Sequence, residues 1–124
     1  MRQTKGTKEK SWKSFSKYIR ARDKRCVTCN TGKAENAGHF HHNVLDFDEE
    51  NVNAQCVRCN KYLHGNLNVY SAYLLRKLGS KRFLALDKRH YLALRGEKKT
   101  SEEYLAIETL YTAKLRQLEL NELL

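Results

Sequence analysis

Cys26-Val-Thr-Cys29 and Cys56-Val-Arg-Cys59 are the two stretches whose reading decides the fold. They hold all four cysteines of the chain and are separated by 26 residues. A two-residue gap lets both thiolates of a pair face one ion at about 2.3 Å, so the two knuckles predict a tetrahedral zinc site on Cys26, Cys29, Cys56 and Cys59. Disulfides are the competing reading; they suit an oxidising compartment, which nothing in this chain suggests. A redox dithiol is another, but it would not need two copies. Four thiolates close the zinc shell, so this ion is structural rather than catalytic. Structural zinc contributes roughly 10–16 kcal/mol of apparent binding energy to folding. That contribution matters because the segment between the pairs has few large apolar residues.

The flanks of the knuckles read as helices. Residues 1–10 are polar and basic and are expected to form a flexible arm. Ser11 is a candidate cap for a helix from Trp12 to about Arg22, with Trp12, Phe15, Tyr18 and Ile19 on one face. His39 to Leu45 alternates weakly and is a candidate strand, and Asp46 to Val52 is a turn-rich return. Gln55 to Asn66 holds the second knuckle and opens a short helix. Leu67 to Leu78 is helical and Gly79 terminates it. Ser80 to Leu94 forms a further helix closed by Gly96. Thr100-Ser-Glu-Glu103 is a capping box before a final helix to Leu124. The expected class is α+β, mostly helical, in three parts: the arm 1–10, a zinc-stabilised domain 11–79, and a helical extension 80–124.

The chain has 124 residues and a formal net charge of +10, with 24 Lys and Arg against 14 Asp and Glu. That length suits one domain. No proline is present, which favours helices. No apolar run approaches the ~20 residues of a membrane span, and no signal peptide is recognisable, so a soluble cytoplasmic protein is expected. The charge is segmental. Residues 1–25 carry +8, 26–66 carry −2, 67–99 carry +7 and 100–124 carry −3. Two cationic flanks around a slightly acidic middle suit a nucleic-acid partner, with phosphates on the flanks and a divalent cation between them.

Between and beside the knuckles stand Ala37-Gly-His-Phe-His-His-Asn43, Phe47-Asp-Glu-Glu-Asn-Val52 and Asn60-Lys-Tyr-Leu-His-Gly-Asn66. A His on a presumptive strand, an Asn before the third cysteine and an Asn directly after the fourth follow the order of the HNH nuclease motif, a β-hairpin and helix gripping one metal. With Ser11-Trp-Lys-Ser-Phe-Ser-Lys-Tyr-Ile-Arg20, Gln55 before the second knuckle and Tyr73-Leu-Leu-Arg-Lys-Leu-Gly79, residues 11–79 resemble the phage NinG/Rap recombination endonuclease family.

The resemblance implies a ββα-metal core around the zinc knuckle and a metal-dependent endonuclease. It assigns His39 as general base, suited by an unperturbed pKa of about 6.5. It gives Asn51 the task of tying the loop and holding the His39 strand, and makes Asn60 an oxygen ligand of Mg²⁺ or Mn²⁺. The residue before the base is Asp or His in many HNH proteins and binds the metal; here it is Gly38. The replacement ligand is left among His64, which an α-helix would place at i+4 from Asn60, His41, which shares His39's face if the strand continues, Asn36 and Asp48.

Lys13, Lys17, Arg20, Arg58, Lys61, Arg76 and Lys77 are candidate phosphate contacts, and no sequence-reading helix stands out. Nonspecific or shape-led DNA binding is therefore expected, and the resemblance points to branched recombination intermediates such as Holliday junctions or D-loops. The leucine-rich final helix either packs on its own domain or forms a homodimer. The alternative function is a non-catalytic zinc-ribbon DNA-binding module, which would make no use of His39, Asn51 and Asn60.

Overall fold

A two-stranded antiparallel hairpin stands at the centre of the computed structural model, which describes residues 6–93 and 98–124. Strand β1 (Asn36–His39) pairs with β2 (Val52–Gln55), with Asn36 opposite Gln55 and His39 opposite Val52. Side chains alternate across the hairpin. Ala37, His39, Val52 and Ala54 take one face; Asn36, Gly38, Asn53 and Gln55 take the other.

The first face packs on helix α1 (Lys8–Asp23), where Phe15, Ile19, Ala37, Val52 and Tyr111 form a buried cluster edged by Trp12, Tyr18, Phe47 and Ile107. Burying one such large side chain contributes about 1.5–3 kcal/mol. Helix α3 (Ser101–Leu123) lies along the other side of α1 and brings Tyr111 into this core. The second face meets helix α2 (Leu67–Leu92) through Tyr70, whose hydroxyl donates to Gly38 O at 2.6 Å and lies 3.2 Å from Asn53 Nδ2. Tyr70, Leu74, Leu78 and Leu86 form the second core, with Phe40, Leu45, Tyr73 and Phe83 packed on it.

Several expectations are corrected. Helix α1 begins at Lys8, capped by Thr7, whose hydroxyl accepts from Lys10 N at 3.1 Å. Ser11 is not the cap; it is buried within the helix and donates to Thr7 O and Lys8 O. Gly6 is buried, and a Cβ there would collide with Leu105 backbone, so residues 6–10 belong to the folded body and not to a loose arm. Residues 1–5 lie outside the described residues, as does Gly96. The strand runs from Asn36 to His39, not from His39 to Leu45, because Asn51 captures the backbone of residues 41–45.

Helix α2 covers both helices expected on either side of Gly79. That residue is non-helical at φ 80°, ψ 163°, so the two stretches meet at a break. The second knuckle leads into a five-residue π-helical turn, Arg58–Tyr62, rather than an α-helical one. The Thr100–Glu103 capping box is present in full. Among the described residues no helix is long and apolar enough to cross a membrane.

Candidate metal centre and active site

The two Cys-x-x-Cys knuckles are brought together by the hairpin. Val27 N donates to Ala54 O at 2.9 Å, which docks the first knuckle on β2, and the second knuckle continues β2 directly. Among the described residues, the four cysteine sulfurs are the one group of three or more His, Cys, Asp and Glu ligand atoms that lie within 4.8 Å of one another. Cys29 Sγ and Cys56 Sγ are 3.8 Å apart, the edge of a tetrahedron whose centre lies about 2.3 Å from each sulfur. N–H groups of Cys29, Gly32 and Cys59 point at Cys26, Cys29 and Cys56 sulfurs at 3.3–3.5 Å.

Hydrogen bonds from Thr31 and from the Thr31 and Gly32 backbone bring the Cys29 thiol down to about 6. Burial pushes Cys56 up to about 12. A dication removes that conflict by making four thiolates compatible at once. Gly32 is required here, since a Cβ would stand 2.8 Å from Cys56 Sγ. The four cysteines could hold a metal such as zinc.

His39 ends β1 on the α1 face. Its ring stacks on Trp12 at 5.0 Å between centroids and 13° between planes. Nε2 is buried and lies 3.4 Å from Asp46 Oδ1, without the alignment of a full hydrogen bond. Burial lowers the His39 pKa, the Asp46 charge opposing it. Asp46 also pairs with Lys8 at 3.0 Å. The cleft, about 1270 Å³, is walled by Trp12, His39, Asp46 and Tyr104 and rimmed by Lys8, His42, Lys98 and Lys99.

Asn51 is fully buried. Its Oδ1 accepts from His41 N at 2.8 Å, and its Nδ2 donates to the carbonyls of His41, Val44 and Leu45. It therefore ties the loop that leaves the His39 strand.

Asn60 stands on the opposite face of the hairpin from His39. A Cβ on Gly38 would fall on Gln55 Oε1 and lie 2.9 Å from Asn60 Oδ1. Gln55 Oε1 is buried without a hydrogen-bond partner. Gln55 Oε1 and Asn60 Oδ1 are thus two carboxamide oxygens beside residue 38, of the type that could face a hard cation such as Mg²⁺ or Mn²⁺.

Three of the other proposed ligands go elsewhere. His41 stacks on His90 at 3.9 Å and lies 3.5 Å from Asp87, because the strand has ended and its face is no longer His39's. His64 is exposed beyond the π-helical turn, with φ 51°, so the i+4 relation to Asn60 does not hold. Asp48 is paired with Arg89.

Lys13, Lys17, Arg58, Lys61 and Arg76 are exposed and carry no ion pair among the described residues. Arg20 is bonded to Ser16, and Lys77 donates to Asn53 Oδ1. Sequence reasoning missed Asp46 and Gln55. Neither sits in a motif-like spacing to His39; only the Gln55-Cys56 adjacency was visible.

The chain matches the family described as Bacteriophage Lambda NinG protein over residues 1–122. It is 33% identical over 109 residues to Protein ninG of Escherichia phage 933W, and equally so to that of Salmonella phage P22. To Protein ninG of Escherichia phage lambda it is 32% identical. Each alignment covers 82% of this chain and 52% of the relative, so the chain spans about half the length of the relatives it matches. No solved structure matches it. The chain belongs to the NinG family.

Proposed function

We propose that this chain carries the catalytic module of a metal-dependent, HNH-type DNA endonuclease that cuts branched DNA in phage recombination. The carrying observation is the setting of His39: stacked on Trp12, with Nε2 against Asp46 and a cationic cleft beside it. Hydrolysis of a phosphodiester needs a base for water, a Lewis acid on the phosphate and groups that orient both.

His39 meets the first need. With Nε2 turned towards Asp46 at 3.4 Å, Nδ1 would be the nitrogen that takes the proton of an attacking water. A pKa lowered by burial keeps the ring in its neutral, basic form at physiological pH. Trp12 and the Asn51 clamp hold the ring's position. Asn60 is the residue of the motif that would hold Mg²⁺ or Mn²⁺, and a bound ion supplies Lewis-acid stabilisation of the phosphate and leaving oxygen. Lys8, Lys98 and Lys99 at the cleft rim, with Lys13, Lys17, Arg58, Lys61 and Arg76, offer sequence-neutral phosphate contacts. The four-cysteine zinc site is structural.

The test compares wild type with His39→Ala on a Holliday junction, a flap and plain duplex in Mg²⁺ and Mn²⁺. Wild type should cut branched DNA in preference to duplex. The variant should lose roughly 10²–10⁴-fold in cleavage while binding DNA as before. Normal cutting by the variant overturns the assignment of the base. Salt-sensitive binding with no cleavage in any divalent ion would make the chain a non-catalytic zinc-ribbon DNA-binding module.

A further inference from the structure

The Gln55 side chain has no use for its oxygen within the protein. Its Nε2 donates to Gly65 O at 2.8 Å and lies 3.3 Å from Thr28 Oγ1. A carbonyl can only accept, so the group facing Gly65 must be the NH₂, and the orientation of the amide is thereby decided. Oε1 is forced towards Gly38 and Asn60. The residue is fully buried, and Oε1 has no hydrogen-bond partner. A buried acceptor left without a partner is costly and calls for an occupant.

The surroundings narrow that occupant. Residue 38 has no side chain, and a Cβ there would fall on Gln55 Oε1 itself. Glycine at 38 and glutamine at 55 are therefore complementary: the space that one vacates, the other fills with an oxygen. Asn60 Oδ1 lies 2.9 Å from the same Cβ position. Both oxygens thus lie within 3 Å of one point beside Gly38, and neighbouring acceptors repel each other unless a cation or donor stands between them. Carboxamide oxygens are hard donors without charge, which suits a divalent cation that keeps several waters and takes phosphate oxygens as further ligands. Gln55 precedes Cys56 and Asn60 follows Cys59, so both oxygens are held by the backbone of the zinc knuckle.

We propose that Gln55 Oε1 is the second protein ligand of the divalent cation at Asn60, in the place of the side chain that residue 38 lacks. The proposal rests on the reading of Asn60 as a metal ligand, but its test involves no cleavage. The zinc-loaded full chain, free of DNA, is titrated with Mn²⁺ alone, and paramagnetic broadening of backbone amide signals is followed by NMR. Signals of Gly38, Gln55 and Asn60 should broaden first.

Gln55→Met keeps the volume and removes the oxygen; it should weaken Mn²⁺ binding by about tenfold or more. Asn60→Asp adds a charge at the partner oxygen and should strengthen binding by about the same factor. If Gln55→Met does not hold zinc and fold, the wild-type broadening pattern and Asn60→Asp decide. Broadening centred on His39 and Asp46, no broadening at Gly38 and Gln55, or unchanged affinity in folded Gln55→Met overturns the proposal. The last case would mean that Asn60 presents its NH₂ to Gln55 Oε1 and no ion is held between them. Each of these negatives leaves the role of His39 to the cleavage assay.

Discussion

Asp46 is the residue on which the proposed chemistry turns most sharply. Its Oδ1 faces His39 Nε2 at 3.4 Å and its Oδ2 pairs with Lys8 at 3.0 Å. Asp46→Asn keeps the shape and removes the charge. The expected result is a fall in kcat of about 10–100-fold with KM little changed, the size typical of partners that orient a working imidazole. The pH profile separates positioning from mere packing. The Asp46 carboxylate raises the His39 pKa against the burial that lowers it. Removing the charge lowers that pKa further, so the acid limb of kcat/KM should move to lower pH even as the maximal rate drops. An unmoved acid limb with an unchanged rate would remove Asp46 from the mechanism. His39 and Asn51 were legible in the sequence because the motif fixes their order relative to the cysteines. Asp46 was not, because a loop of unpredictable path, shaped by the four bonds of the Asn51 amide, carries it to His39.

At the scale of elements, the helices were legible and the ends of the short pieces were not. Apolar residues recur at three- and four-residue spacings within 12–19, 67–78 and 104–118, and the capping box at Thr100–Glu103 is present in full. The strand lies three residues earlier than its alternation suggests, because His39–Leu45 alternates only weakly and a four-residue strand offers too few positions to settle the period. The π-helical turn defeats the i+4 argument for His64, since that spacing holds only for α-helical geometry. Gly79 provides a test whose sign is informative. In a continuous exposed helix, Gly→Ala stabilises by roughly 0.5–1 kcal/mol. Here Gly79 is exposed with nothing within 4 Å of where a Cβ would stand, yet its φ of 80° and ψ of 163° are open almost only to glycine. Gly79→Ala should therefore destabilise, by about 1–3 kcal/mol in urea unfolding, with zinc content unchanged. A stabilised variant would show α2 to be unbroken.

The whole molecule is a hairpin held between α1 with α3 on one face and α2 on the other, and what it lacks is an apolar middle. The buried side chains of the hairpin are Ala37, Val52 and Ala54 on one side against Asn53 and Gln55 on the other, with Asn51 beside them. Such buried carboxamides remove little hydrophobic area from water, and each must be hydrogen-bonded to avoid a net cost. The charge map foresaw cationic flanks but not that Arg22, Arg82, Arg89 and Lys114 would pair with Asp23, Asp48, Glu49 and Glu50, leaving a subset of the basic residues for phosphates. A metal ion held by the four cysteines would then supply cohesion that packing does not. A structural zinc is associated with roughly 10–16 kcal/mol, as much as the roughly 5–15 kcal/mol total stability of a domain, so its loss should not be local. Treatment with a thiol-blocking mercurial in the presence of a chelator should release one zinc per chain and abolish the cooperative unfolding transition. The affinity should also depend on pH in a fixed direction. Burial holds the metal-free Cys56 thiol up at about 12, so zinc must displace its proton, and binding strengthens as pH rises. A chain that keeps its cooperative transition after the metal has gone would show that the hydrogen-bonded carboxamides and the two flanking cores suffice without the ion.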